Sequence, residues 1–129
     1  MNSDGVELEP GVLVNALTPH ATGSGAAWSL SAAQRDLDAN VVFLEPGGSI
    51  DQHVGPDIDV LVHVIAGSGV LLSDRSQVPL ASSDIAWLPR RSTRSIEAGE
   101  EGLRYLTVHR KREPLGVTQR RTDSEESAK

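Results

Sequence analysis

His53, Asp57 and Asp59 fall within seven residues of one another, and an imidazole with two carboxylates is a combination that binds divalent metals. Arg94 adds a permanent cation with five N–H donors, and Tyr105 is the only phenol in the chain. The chain contains no cysteine, which excludes disulfides, thiolate nucleophiles and cysteine-based zinc or iron–sulfur sites. The chemistry left open is metal binding, acid–base catalysis or recognition of an anion.

A regular spacing of glycine and histidine surrounds this cluster. Gly47, His53 and Gly67 are spaced as in the first motif of the cupin family, which this segment resembles. That motif has the form G, five residues, H-x-H, three or four residues, E, six residues, G. In this chain Gly55 occupies the position of the second His and Val60 that of the Glu.

A second stretch preserves the spacing of the other cupin motif, G, five residues, P-x-G, two residues, H, three residues, N. Its five positions are Ser83, Pro89, Arg91, Arg94 and Ala98. The resemblance spans about residues 41–108. It implies an all-β fold, the double-stranded β-helix or jelly-roll barrel of small single-domain, RmlC-like cupins.

In metal-binding cupins, two His and a Glu of the first motif and a His of the second hold a divalent ion. The resemblance places these positions at His53, Gly55, Val60 and Arg94. Glycine has no side-chain donor, valine has no lone pair and arginine has no acceptor, so one imidazole is left. We therefore expect a degenerate metal site, with no metal and no cofactor.

A replacement metal site of His53 with Asp57 or Asp59 is an alternative. Strand parity argues against it. Side chains alternate between the two faces of a strand, so if Val60 faces the cavity, Val62 and Val64 also face inward and Asp59 faces outward. The alternation likewise places His63 on the outer face, as a surface or subunit-interface residue.

Arg94 stands where the family has a metal-binding His. A guanidinium pointing inward would bind a carboxylate or phosphate, with His53 as a second hydrogen-bonding group. The alternatives are that Arg94 forms a structural ion pair with Asp57 or Asp84 or points into solvent, and that His53 is a hydrogen-bonded interior residue. An arginine buried without any partner would be costly.

The last strand carries Tyr105, Thr107 and His109 on one face, with Leu106 and Val108 on the other. The sequence leaves open which face lines the cavity, because either register is compatible with the alternation. An inward polar face would add a phenol and a second imidazole to the ligand-binding residues His53 and Arg94.

The chain divides into a flexible N-terminal segment (1–25), a barrel (26–112) and a disordered C-terminal tail (113–129). Val12–Val14 is a candidate edge strand, and the only helical-looking segment is Ala32–Asp38. Strands are expected at 27–30, 39–44, 58–66, 69–72, 84–88, 94–96 and 104–109. Turns are expected at 45–48, 66–69 and 97–102, from their Gly and Pro content.

Strand 58–66 is apolar on both faces, so both must be covered. A homodimer would do this, with Trp28 as an interface residue, and so would N-terminal strands folding back. Trp87, between Ala86 and Leu88, is expected to pack in the core.

The net charge is −6, and the basic cluster 109–112 is more typical of a solvated strand end than of a nucleic-acid interface. No run approaches the roughly 20 apolar residues of a membrane span, and the first residues do not resemble a signal peptide. We expect a cytoplasmic protein that binds neither nucleic acid nor membranes.

Three functions fit these residues. The favoured one is a metal-free cupin domain that binds a small anionic molecule through His53, Arg94 and Tyr105 without catalysis. The second is a metal-independent enzyme of the isomerase or epimerase type, with His53 as the base and Tyr105 as its partner. The third is a dimeric interaction or scaffold module whose cavity is vestigial.

Overall fold

The computed structural model describes residues 9–20 and 22–112, in which the regular elements are seven β-strands and no helix. The strands are β1 (Gly25–Ser29), β2 (Leu37–Leu44), β3 (Ser49–Val54), β4 (Val60–Ser73), β5 (Gln77–Ala81), β6 (Ile85–Leu88) and β7 (Thr93–Arg110). All pairings between strands are antiparallel. The all-β prediction is confirmed.

The two long strands, β4 and β7, fold one continuous sheet into two layers. The first layer contains β1, β2, residues 103–110 of β7, residues 60–64 of β4, and β6. The second layer contains β3, residues 93–98 of β7, residues 69–73 of β4, and β5. This is the arrangement of a jelly roll, in which the chain passes between two packed sheets.

Glycines mark the places where β4 and β7 cross between the layers. Gly67 and Gly102 have φ values of 85° and 82°, which side chains rarely adopt. A Cβ at Gly67 would lie 2.1 Å from the carbonyl oxygen of Gly102, so the strands approach too closely for a side chain. The register of β4 with β7 shifts on both sides of Gly67. The predicted turns at 66–69 and 97–102 are therefore wrong, because these glycines bend strands that continue.

The core lies between the two layers and is built mainly from aliphatic side chains. The first layer contributes Val42, Leu44, Val60, Val62, Val64, Leu88, Leu103 and Tyr105, and the second contributes Leu71, Leu80 and Ile96. With only four aromatic residues in the chain, branched aliphatic groups supply most of the buried area. Val60, Val62 and Val64 face inward as predicted, and Leu61 is 47% exposed.

The prediction that Trp87 packs in the core is wrong, because Trp87 is 61% exposed. Its neighbour Leu88 faces the core at 7% exposure, so the alternation of β6 turns Trp87 outward. Register places Trp87 beside Leu61 and places Ile85 beside His63 on the same outer face. His63 is thus an outer-face residue, as predicted.

Several other predictions of secondary-structure elements and their boundaries are wrong. The sequence missed β3 and β5, and it divided β4 and β7 into two strands each. The segment Ala32–Asp38 is not helical, since β2 begins at Leu37. Val12–Val14 forms no strand, and Val12 is 93% exposed. The predicted C-terminal tail and residues 1–8 lie outside the described residues.

The N-terminal segment covers part of the outer face of the first layer. Arg104 donates to the carbonyl oxygen of Pro19 at 2.9 Å, and its guanidinium lies 5.5 Å from the ring centroid of Phe43. No described residue covers the neighbouring patch of Leu61, Ile85 and Trp87 in this way. The homodimer, with Trp28 at its interface, stays a prediction. Within the described ranges we find no helix suited to crossing a membrane.

Candidate functional site

Neighbouring strands of the second layer bring His53 and Arg94 together. Pairing of β3 with β7 places the two residues directly opposite each other, so their side chains share a face of the sheet. Arg94 is only 6% exposed, which places that face toward the interior. A bulge after Ile50 resets the register before His53. The two candidate ligand-binding residues of the sequence analysis are therefore adjacent.

The carbonyl oxygen of Asp51 orients the His53 ring. Nδ1 lies 2.8 Å from this oxygen, and because a carbonyl only accepts, Nδ1 carries the proton. In the neutral ring Nε2 is then an acceptor, and in the protonated ring it is a donor. His53 is half-buried, and no described side chain bonds to Nε2.

Gly55 leaves the space that the Arg94 guanidinium occupies. A Cβ at Gly55 would lie 2.2 Å from Cζ and from Nη1 of Arg94, and 2.6 Å from Nη2. Any side chain at residue 55 would displace the guanidinium. A glycine at position 55 and an arginine at position 94 are thus sterically linked.

Neutral acceptors hold one end of the Arg94 guanidinium. Nη1 donates to the hydroxyl of Ser92 at 2.9 Å and to the carbonyl oxygen of Pro89 at 3.2 Å. In the part of the chain that the structure describes, no acceptor bonds to Nε or Nη2 and no carboxylate lies within ion-pair distance of Arg94. Sequence reasoning missed Ser92, although its position two residues before Arg94 placed it on the same face.

The carboxylates considered as partners of Arg94 are engaged elsewhere. Asp57 lies 3.1 Å from Nη1 of Arg91, and Asp84 accepts from the backbone N–H of Ala81 at 2.9 Å. The structural ion pair with Asp57 or Asp84 is therefore not formed. Arg94 keeps an uncompensated charge in the described structure.

Asp59 lies outside the interior as parity predicted. It accepts from the backbone N–H of Arg90 at 2.9 Å, and the Arg90 side chain lies 3.5 Å from the same oxygen. The hydrogen bonds and charge of Arg90 lower the pKa of Asp59. Together with the pair of Arg91 and Asp57, this contact ties the loop before β7 to the loop before β4.

Burial changes the proton affinities of Arg94 and Tyr105 in opposite directions. Loss of water lowers the pKa of Arg94, and Tyr105 opposes that shift. Loss of water raises the pKa of Tyr105 well above its ordinary value of 10.0, and the charge of Arg94 opposes that shift. Tyr105 is 2% exposed. Its phenol is therefore a neutral hydrogen-bonding group throughout the physiological pH range.

The register of β7 settles the question left open for its polar face. Tyr105 and Thr107 pair with Val64 and Val62, which face the core, and both are buried. The face that also carries His109 is therefore the inner one. His109 lines an open cavity of about 350 Å³ at the end of the first layer. His53, Arg94 and Tyr105 do not line that cavity.

Backbone conformation supports the alignment with the cupin motifs. The glycine positions of the two motifs are Gly47, Gly67, Ser83 and Arg91, with φ values of 75°, 85°, 79° and 60°. All four lie in the left-handed region that favours glycine. Ser83 and Arg91 keep the turn geometry although the glycine has been replaced, at an energetic cost that glycine would not have.

The comparisons with solved structures agree with this geometry. The conserved SPY1581 protein of unknown function from Streptococcus pyogenes matches with a TM-score of 0.63 and 20% identity, over 84% of this chain and 94% of that one. The cupin superfamily protein DSY2733 from Desulfitobacterium hafniense gives 0.63 and 18%, over 79% and 92%. This chain has the cupin fold. The Cnp3 cupin domain from Schizosaccharomyces pombe gives 0.58 and 18% over 64% of this chain, and the match spans 61% of that domain.

No family model and no curated protein matches this cupin-fold chain. With identities near 20%, the solved structures establish the fold alone. Any function must be argued from the site itself.

The residues present do not fit the divalent metal that many cupins hold. The four positions are His53, Gly55, Val60 and Arg94, and the Arg94 guanidinium fills the space in front of Gly55. In residues 9–20 and 22–112 there is no group of three or more His, Asp or Glu side chains that could hold a metal ion. Asp57 and Asp59, the alternative ligands, face arginines on the other loop. The cation of this cupin-fold site is the guanidinium itself.

Proposed function

We propose that this cupin-fold chain binds a small anionic molecule at Arg94, without a metal and without catalysis. The observation that carries the proposal is a guanidinium that is 6% exposed and has only neutral acceptors among the described residues. A buried charge without a counterion is costly, and an anionic ligand would remove that cost.

The N–H donors of Arg94 that have no described partner indicate which chemical group the ligand carries. Nε and Nη2 of Arg94 form the fork that pairs with two oxygens of a carboxylate or phosphate. In its neutral form, Nε2 of His53 accepts a hydrogen bond, so a ligand hydroxyl beside the anionic group would be its partner. The ligand class is therefore a small carboxylate or phosphate ester that carries an adjacent hydroxyl.

Tyr105 contributes to the same site through its neutral phenol. Burial causes the opposed pKa shifts of Tyr105 and Arg94, and the interaction between the two groups reduces both shifts. In the proposal Tyr105 limits the depth of the site and offers a hydroxyl that stays protonated. Val60, at the position of the family's glutamate, keeps the neighbouring wall apolar.

Isothermal titration calorimetry tests the proposal with acetate, glycolate and phosphate as probes. Glycolate differs from acetate by one hydroxyl, so tighter binding of glycolate would support the role of His53. Arg94→Ala is expected to weaken binding of every anion by at least about tenfold, the loss of a hydrogen bond to a charged group. Affinities unchanged by Arg94→Ala would contradict the proposal, as would the absence of binding to all three probes.

Arg104→Gln is the matched control for loss of a positive charge. Arg104 lies on the outer face, where it bonds to Pro19 and packs on Phe43. We expect this variant to bind the three anions as the wild type does. A loss as large as that of Arg94→Ala would mean that overall charge, not the site, attracts the anion.

The enzyme and scaffold functions stay predictions. For the enzyme, a backbone carbonyl orients His53 in place of the carboxylate that would assist a general base. Turnover of a bound anion that disappears in His53→Ala would favour the enzyme. Failure to bind any small anion, together with a stable dimer, would favour the scaffold.

A further inference from the structure

A second polar site lies at the far end of the first layer, away from Arg94. An open cavity of about 350 Å³ is formed there by the ends of β1 and β7 and the start of β2. Its volume falls in the range of about 300–1,000 Å³ that is usual for small-molecule sites. The backbone N–H of Lys111 donates to the carbonyl oxygen of Asp36 at 2.7 Å, which closes the loop before β2 onto the end of β7.

Strand register aligns polar side chains along the cavity wall. Asn40 pairs with Ser29 on one side and Thr107 on the other, and Asp38 pairs with His109 in the next row. These rows continue the inner face of the barrel beyond its apolar core. The chain thus places polar groups where the interior opens to solvent.

Several of these groups have free hydrogen-bonding positions. The hydroxyl of Thr107 donates to Oδ1 of Asn40, which leaves both amide N–H groups of Asn40 free among the described residues. Nδ1 of His109 donates to a backbone carbonyl at 2.7 Å, so Nε2 of the neutral ring is an acceptor. The hydroxyl of Ser29, which also lines the cavity, can donate or accept.

Arg35 and Asp38 neutralise each other in the cavity wall, and a second guanidinium, that of the exposed Arg112, also lines the cavity. Arg35 donates to Oδ1 of Asp38 from Nε at 3.0 Å and from Nη2 at 2.8 Å, and its Nη1 donates to a backbone carbonyl. Both side-chain bonds reach the same oxygen, so Oδ2 of Asp38 remains available as an acceptor. The wall therefore offers donors and acceptors side by side, with its own ion pair already satisfied.

We infer that this cavity binds an uncharged polyhydroxylated molecule, such as a sugar or polyol. Each hydroxyl of such a ligand both donates and accepts, which matches the amide of Asn40 beside Oδ2 of Asp38 and Nε2 of His109. The carboxylate of Asp38 disfavours an anion beside Oδ2, and the guanidinium of Arg112 can donate to ligand hydroxyls. The site is separate from Arg94 in position and in the ligand chemistry it selects.

Titrations followed by two-dimensional amide NMR of the full chain test this inference, with D-glucose, D-ribose and myo-inositol as probes. We expect at least one of them to shift the side-chain amide signals of Asn40 and the ring signals of His109. Asn40→Asp keeps the acceptor for Thr107 and removes the amide donors, and should weaken binding by about tenfold. The double variant Ser29→Ala, His109→Leu, on the cavity rim, provides the same test if Asn40→Asp does not fold.

Two controls keep the outcome specific. Asn15→Asp makes the same chemical change on the exposed N-terminal segment and should leave sugar binding unchanged, and so should Arg94→Ala. The inference is overturned if none of the three probes shifts these signals at up to about 100 mM, a concentration that would detect dissociation constants well above about 1 mM. It is also overturned if binding persists in both cavity variants, or if acetate or phosphate binds there in preference to the sugars.

Discussion

Arg35 and Arg94 are both shielded from solvent, but only Arg35 has a carboxylate partner among the described residues. Arg35 has a carboxylate, Asp38, at 2.8 Å and a backbone carbonyl at 2.7 Å. Arg94 is more deeply buried and has a hydroxyl and a carbonyl but no described carboxylate. Arg35 has the environment of a structural arginine, whereas Arg94 has only neutral acceptors among the described residues, and in our proposal a bound anion supplies its counterion.

The difference shows how a protein that has lost metal ligands can keep a charged interior. At the ligand positions of the cupin motifs, one imidazole remains and a guanidinium occupies the space left by a glycine. In our proposal the charge of Arg94 destabilises the ligand-free protein, as expected for a group that serves binding at the expense of stability. The following predictions test the contrast between the two arginines.

Gly55→Ala is expected to have the largest effect on stability, because a Cβ at residue 55 would lie 2.2 Å from the Arg94 guanidinium. Overpacking of this kind costs about 2 kcal/mol of unfolding free energy. Urea denaturation measures it. In the Arg94→Ala background the cost should largely disappear, giving a coupling of about 1–2 kcal/mol between the two positions.

An equal cost of Gly55→Ala with and without Arg94 would contradict this placement of the guanidinium. Gly48→Ala is a control at a site where a Cβ would also be crowded, 3.0 Å from a backbone carbonyl oxygen and from the Ser24 hydroxyl. Its cost should be independent of Arg94.

Methionine substitutions of the two arginines should change stability in opposite directions. Arg94→Met removes an uncompensated buried charge and should stabilise the ligand-free protein by about 1 kcal/mol. Arg35→Met leaves Asp38 without its partner and should destabilise by about 1 kcal/mol. Thermal and urea unfolding in a buffer free of small carboxylates and phosphate measure both values. Destabilisation by Arg94→Met would mean that its neutral hydrogen bonds outweigh its charge.

The alkaline titration of Tyr105 should report on Arg94 but not on Arg35. Burial raises the pKa of Tyr105 in the folded state, so its neutral phenol contributes stability below about pH 10, and this contribution is lost as pH rises above that value. Because Tyr105 is the only tyrosine, phenolate absorbance at 295 nm follows it alone. Folded wild type should show little phenolate at pH 10, where an exposed tyrosine is half-ionised.

Arg94→Met should shift this titration to still higher pH, because the guanidinium favours the phenolate, and Arg35→Met should leave it unchanged. Tyr105→Phe should reduce the loss of stability above pH 10. Half-ionisation of the folded wild type near pH 10 would show that Tyr105 is accessible to water.

The cupin frame could be predicted from sequence because its glycine and proline spacing reflects backbone geometry. The left-handed φ values at Gly47, Gly67, Ser83 and Arg91 show that this geometry survives replacement of two glycines. The inward valines of β4 followed from simple alternation once Val60 was placed. These features depend on local spacing, which one sequence records.

The sequence predictions that are wrong also have physical explanations. A glycine in a bent strand and a glycine in a turn are alike in sequence, so the crossings at Gly67 and Gly102 were predicted as turns. The orientation of Trp87 depends on which face β6 turns to the core, and two apolar residues on each face leave that undecided. The role of Ser92 and the absence of a described carboxylate near Arg94 depend on contacts between distant segments.

Metal content is the most direct test of the claim that the guanidinium has replaced the family's metal. Untagged wild type and the triple variant Gly55→His, Val60→Glu, Arg94→His would be exposed to Mn, Fe, Ni and Zn, desalted and analysed by plasma mass spectrometry. The variant frees the space in front of residue 55 and restores two imidazoles and a carboxylate beside His53. We predict no retained metal in the wild type and about one equivalent in the variant. Stoichiometric metal in the wild type would contradict the account.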